Sequence, residues 1–173
     1  MSFKVNHDEA KIGGIMPEGE YEIIISGAKE DETQNQTVYI SVPMIVRNDI
    51  EQPYKNAFIW HAIWHMKTPS QSDAEVGGYN SREIQSISKA VCFDNGTEFD
   101  SLEQWMDALK SKLCRVTVKH ELYNGNPQVK VKRCEPTQHP ECTHVIKEKS
   151  NGIPAAASTP KFETLKDDDD LPF

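Results

Sequence analysis

Residues 114–135 read CRVTVKHELYNGNPQVKVKRCE, and their period decides the fold class. Apolar and polar residues alternate on both sides of Asn124-Gly125. Val116, Val118 and Leu122 with Val129 and Val131 fall to one side, while Arg115, Thr117, Lys119 and Tyr123 with Lys130 and Lys132 fall to the other. Asn-Gly accepts the positive φ that a two-residue hairpin loop demands, so the stretch is expected to form two antiparallel strands.

Upstream, GEYEIIISGAKE (19–30) has the β-branched density of a strand and ends at the polar cluster EDETQNQ (30–36). TVYISVPMIVR (37–47) alternates again, with Val38, Ile40, Val42, Met44 and Val46 on one face and Tyr39, Ser41 and Arg47 on the other. Pro43 cannot donate to a ladder, which places it at an edge or a bulge. NAFIWHAIWHMK (56–67) reads as a third strand. The period then lengthens. Ile84, Ile87 and Val91 repeat at helical spacing behind Asn80 and Glu83, a cap-and-third-position pair, and Leu102, Trp105, Met106 and Leu109 do so behind Asp100 or Ser101.

Three strands, a helical segment and two strands is the order of the OB-fold. The expectation is therefore a mainly β protein: a five-stranded Greek-key barrel with one or two short helices between strands 3 and 4. Residues 1–144 would form this domain. From Val145 the period vanishes into a stretch rich in Pro, Ala, Ser and Lys, so 145–166 reads as a flexible linker and 167–173 as a separate acidic tip, DDDDLPF.

The chain has 173 residues, enough for one domain with appendages, and a net charge of −8. Residues 151–173 hold five acids and two lysines, contributing −3 and leaving −5 for the body. A nucleic-acid site must then be a local basic face rather than a global field. No apolar run approaches the ~20 residues of a membrane span, and the opening MSFKVNHDEA lacks the apolar core of a secretory signal. A cytoplasmic protein without a membrane partner is expected, with Cys92, Cys114, Cys134 and Cys142 as free thiols.

Binding a single strand requires aromatic faces for bases and cations that follow the phosphates. The outward positions supply both: Tyr39 and Arg47; Arg115, Lys119 and Tyr123; Lys130, Lys132 and Arg133. The third strand adds Phe58, Trp60 and Trp64 on one face and His61, His65 and Lys67 on the other, with either face open to burial. Residues 113–133 hold five of these cations against the single acid Glu121. His61 and His65 have a metal-like spacing, but four strand residues span roughly 13 Å, too far for one ion. Cys134, His139, Cys142 and His144 have zinc-ligand chemistry within eleven residues. Their C-x4-H-x2-C-x-H spacing departs from the common fingers, and an irregular strand exit is the preferred reading. No nucleophile–base set, phosphate-binding loop or close carboxylate pair stands out, so neither an enzyme nor a cofactor is expected.

The terminal Asp168-Asp169-Asp170-Leu171-Pro172-Phe173 resembles the acidic tip of bacterial single-stranded DNA-binding proteins, with leucine where that family usually has isoleucine. The body resembles phage-encoded proteins of a family of formerly unknown function found among replication and recombination genes, through Pro17, Gly19 and Tyr21 and the late Tyr123-Asn124-Gly125. The resemblance implies a phage protein in the host cytoplasm that coats single-stranded DNA with little sequence specificity. Its tip, Asp167 to Phe173, would be held by replication and recombination proteins through capture of the last ring and carboxylate. A homo-oligomer is allowed for, and a protein-interaction module or a strand-annealing protein are the alternative readings.

Overall fold

The computed structural model describes residues 15–146. In chain order these form β1 (Gly19–Ile25), β2 (Lys29–Glu32), β3 (Val38–Val46), β4 (Phe58–Trp64), α1 (Gln71–Glu75), α2 (Ser81–Ala90), α3 (Leu102–Ala108), β5 (Leu113–Tyr123) and β6 (Asn126–Glu135). Every pairing between these strands is antiparallel. Along one edge β3 pairs first with β2 and then with β1; along the other it pairs with β4. β1 continues to β5, and β5 to β6. The mainly β class holds, as a six-stranded antiparallel sheet with three short helices between β4 and β5. β6 runs close to β4, but no ladder joins them among the described residues, so the sheet is open.

The extra strand comes from 19–30, which reads as one strand but is broken at Ser26–Ala28. The cause lies across the ladder. Ile25 partners Met44 and Lys29 partners Ser41, so Val42 and Pro43 face the break. Proline has no N–H to offer there. Its carbonyl instead accepts from the Ser26 backbone N–H at 3.0 Å and from Ser26 Oγ at 3.1 Å. Pro43 thus sits in a central strand, opposite a break in its neighbour.

The inward set of β3 is buried from Ile40 through Val42 and Met44 to Val46. Ile23 and Ile25 of β1 and Cys114, Val116 and Val118 of β5 join it, and the helices contribute Ile84, Ile87, Trp105, Met106 and Leu109. Each such aliphatic side chain contributes about 1.5–3 kcal/mol by leaving water. The helix starts match their expected caps: Asn80 accepts from Arg82 N–H at 3.2 Å, and Ser101 Oγ from Gln104 N–H at 3.1 Å. Trp105 Nε1 donates to Ser88 Oγ at 2.9 Å, tying α3 to α2. In the hairpin, φ is 51° at Asn124 and 78° at Gly125, the conformation that pair favours. Leu122, read as inward, is 77% exposed because the hairpin runs beyond the core.

Residues 136–146 form a strap folded back over β1 and β3. Two buried side chains hold it. Glu22 accepts from the Gln138 N–H and the Thr137 hydroxyl. Arg47, fully buried, places its guanidinium on both carboxylate oxygens of Asp49, the carbonyls of His139 and Glu141, and Thr137 Oγ1. Its donors are therefore spent, which corrects its reading as an outward phosphate contact. The alternation does turn Arg47 outward, but the strap covers that face.

The four residues of zinc-ligand chemistry take separate places. Among the described residues no three His, Cys, Asp or Glu side chains stand together as a metal site. Cys134 lies beside Cys114, Cys142 is exposed, and His144 Nδ1 accepts from Asn48 N–H at 3.0 Å. Arg47, Asn48 and Asp49 supply the wrap that a metal would have supplied. The expected linker beyond Ile146 and the tip Asp167–Phe173 lie outside the described residues.

Candidate nucleic-acid interface

The interface starts from the alternation of β4. Ile59 and Ile63 are buried, and the opposite parity turns Phe58, Trp60 and Trp64 outward with exposures of 48%, 65% and 41%. Phe58 and Trp60, two residues apart on one face, stack with ring centroids 5.9 Å apart. Trp64 pairs across the ladder with Tyr39, their centroids 5.0 Å apart. Two aromatic pairs therefore stand on a rigid two-strand platform in water. Such exposure of tryptophan, with no covering element among the described residues, is the feature that needs explaining.

Between β4 and the β5–β6 hairpin lies a cleft of about 740 Å³. Its rim holds Tyr39, Phe58, Trp60 and Trp64 on one side and Lys130 and Lys132 on the other. Ser41 and Ile59 line it from buried positions and His61 with a side chain 14% exposed, while the Glu83 side chain, 39% exposed, lines it from a half-open position. Burial, and then the charge of Lys130, pushes the His61 imidazole down to about 4, so the ring is neutral at physiological pH. Burial also raises the Glu83 carboxyl. Its Oε2 is shut off from solvent and finds no hydrogen-bond partner among the described residues.

The residues chosen from the sequence divide into two groups. Tyr39, Phe58, Trp60, Trp64, Lys130 and Lys132 converge on the cleft. Lys67, Tyr123 and Arg133 are exposed but do not line it, and Arg115 and Lys119 lie on the outward side of β5. The charge asymmetry of 113–133 is also smaller in space than along the chain. Arg115 bridges Glu20 and Glu135, Lys119 meets Glu18 at 3.7 Å, and Lys132 pairs with Glu121. Glu18 and Glu20, remote in sequence, neutralise much of the basic face.

Sequence reasoning missed His61 and Glu83 as partners. By spacing alone His61 suggests a metal and Glu83 a helix cap; only the packing of α2 against the hairpin brings them together. The available signal was a histidine at an inward position of an otherwise apolar strand. A second hollow of about 770 Å³ lies by α2, α3 and the loop between them. Glu75, Asp94 and Asp100 against Lys89 make its rim unsuited to a phosphate chain.

Fold and cleft together define a mainly β protein with an open antiparallel sheet and an aromatic cleft at its unpaired edge. The family model described as "Protein of unknown function (DUF669)" matches residues 3–143, and the chain belongs to that family. No curated protein matches the chain.

Proposed function

We propose that the chain binds single-stranded DNA in the cleft between β4 and β6, with little sequence specificity, during phage replication and recombination. One observation carries the reading: two exposed aromatic pairs, Phe58–Trp60 and Tyr39–Trp64, face a lysine-bearing hairpin across a cleft. Aromatic faces stack on any base, and alanine substitution of such a ring costs about 1–3 kcal/mol per base. The strand order supports an OB-like frame. Taking β1 and β2 as one bent strand leaves five, in the order β4-β3-β1-β5-β6, which would close as a Greek-key barrel if β6 met β4.

Stacking dominates over charge in this reading. Among the described residues Lys130 and Lys132 are the cations that line the cleft, and Lys132 is paired with Glu121, so one to two neutralised phosphates give a log–log salt slope of about −0.7 to −1.4 for a single strand. The acidic tip Asp167–Phe173 then serves as the ligand for replication and recombination proteins. Titration with oligo-dT tests the binding: Trp60 and Trp64 fluorescence is quenched, and Trp60→Ala with Trp64→Ala weakens binding at least tenfold, as two lost stacking contacts of about 1–3 kcal/mol require. The absence of both quenching and a gel shift would refute DNA binding. Deleting 167–173 abolishes partner pull-down and leaves the salt-saturated DNA affinity unchanged.

A further inference from the structure

A polar lining beneath a stacking rim has a consequence for which bases the cleft accepts. Glu83 Oε1 receives only a long contact from Asn80 Nδ2, at 3.4 Å, and Oε2 receives none. Oε2 is closed to solvent, so a ligand would meet Glu83 through the open part of a side chain that is 39% exposed, whose Oε1 keeps acceptor capacity beyond the long Asn80 contact. The nearest donor, His61 Nε2, stands 3.5 Å from Oε2 without making a hydrogen bond to it. It would be a strong partner only as imidazolium, and burial keeps the ring neutral.

The geometry points to a base-edge site: we propose that Glu83, positioned beside His61, accepts a hydrogen bond from the exocyclic amino group of a base stacked on the rim. This rests on the single-strand reading above and adds a preference to it. Charge fixes the orientation. The Glu83 carboxylate repels phosphates, while Lys130, which has no carboxylate partner among the described residues, attracts them. Lys132 is already paired with Glu121, so the backbone runs on the Lys130 side and base edges point towards Glu83. Among pyrimidines only cytosine offers an amino group; thymine presents O4, a second acceptor, to the carboxylate. A carboxylate accepting from cytosine N4 is a standard pairing, with discrimination of about 1–3 kcal/mol, or roughly five- to 150-fold.

The test compares oligo-dC with oligo-dT of equal length at about pH 8, where a carboxyl is ionised and cytosine unprotonated. Binding is read by tryptophan quenching for the full chain and for Glu83→Gln and Glu83→Met. The wild type binds oligo-dC about fivefold tighter or more. In Glu83→Gln the ratio falls towards one, because an amide can donate to thymine as well as accept from cytosine. Glu83→Met, which has no acceptor at all, loses the preference. Equal affinity of the wild type for both oligomers, or a preference unchanged in both variants, overturns the base-edge site and leaves single-strand binding standing. A wild type that binds neither oligomer overturns the single-strand reading, and the base-edge site falls with it.

Discussion

Replacing Arg47 with methionine, which keeps the stem and removes the guanidinium, tests the strap directly. The loss can be worked from the contacts. Arg47 is fully buried and its donors serve Asp49, the carbonyls of His139 and Glu141, and Thr137. Asp49 is itself 5% exposed, so the substitution leaves a buried carboxylate without its cation. Breaking a buried pair from one side costs about 3–5 kcal/mol. For a chain of this size each kcal/mol moves Tm by about 2–4 °C, so Arg47→Met should melt about 6–20 °C lower.

The acid limb adds a signature. Its hydrogen bonds to Arg47 hold the Asp49 carboxyl down to about 2. A folded-state value below the ordinary ~4 means a contribution that is full above that ordinary value and lost as pH falls towards 2. In Arg47→Met this limb flattens. Adding Asp49→Leu recovers part of the loss by removing the stranded charge. Urea and thermal melts of the three proteins measure this, and hydrogen exchange at the Thr143 and Val145 amides, bonded to Asp49 and Asn48, shows whether the strap has loosened. An Arg47→Met protein as stable as the wild type refutes the clamp. A folded Arg47→Met protein that loses DNA affinity restores the outward assignment the alternation suggested.

His61 gives a second pH effect in a different window. Its folded value, about 4, lies below the ordinary 6.5, so the stability tied to its neutral form is complete above 6.5 and is lost as pH falls towards 4. The effect is on the order of 3 kcal/mol, and His61→Gln abolishes that segment of a stability-versus-pH profile taken by urea denaturation. Gly78→Ala should destabilise sharply, since φ is +89° and a Cβ there would overlap the His65 ring. A loss of about 1–3 kcal/mol is expected from the backbone conformation alone, and a thermal melt within a degree of wild type contradicts it.

How much the sequence discloses depends on whether a feature is local. The Asn124-Gly125 turn, the caps at Asn80 and Ser101 and the inward set of β3 from Ile40 to Val46 are written in neighbouring residues and form as read, whereas Val38, read with that set, is exposed at the strand's start. The outward parity of Trp60 and Trp64 follows once Ile59 and Ile63 are taken as core. The break opposite Pro43 depends on the register between two strands, which no single strand contains. Arg47 shows the same limit: alternation turns it outward correctly, but the segment that buries it lies some ninety residues on. The pairing of Lys119 with Glu18 and of Arg115 with Glu20 likewise emerges only in space. Counting charges along 113–133 therefore overstates the basic face.

The absence of a ladder between β4 and β6 has a mechanical meaning. Elsewhere in the sheet, parting two strands by an ångström or two severs several backbone hydrogen bonds, each worth about 1 kcal/mol. Along this one line, among the described residues, it severs none. Compliance is thereby concentrated where the aromatic rings stand, while β3, β1 and β5 hold their register. On the proposed single-strand reading, this line is where the aperture would adjust to a larger or smaller base, by movement of the end of the hairpin that runs beyond the core.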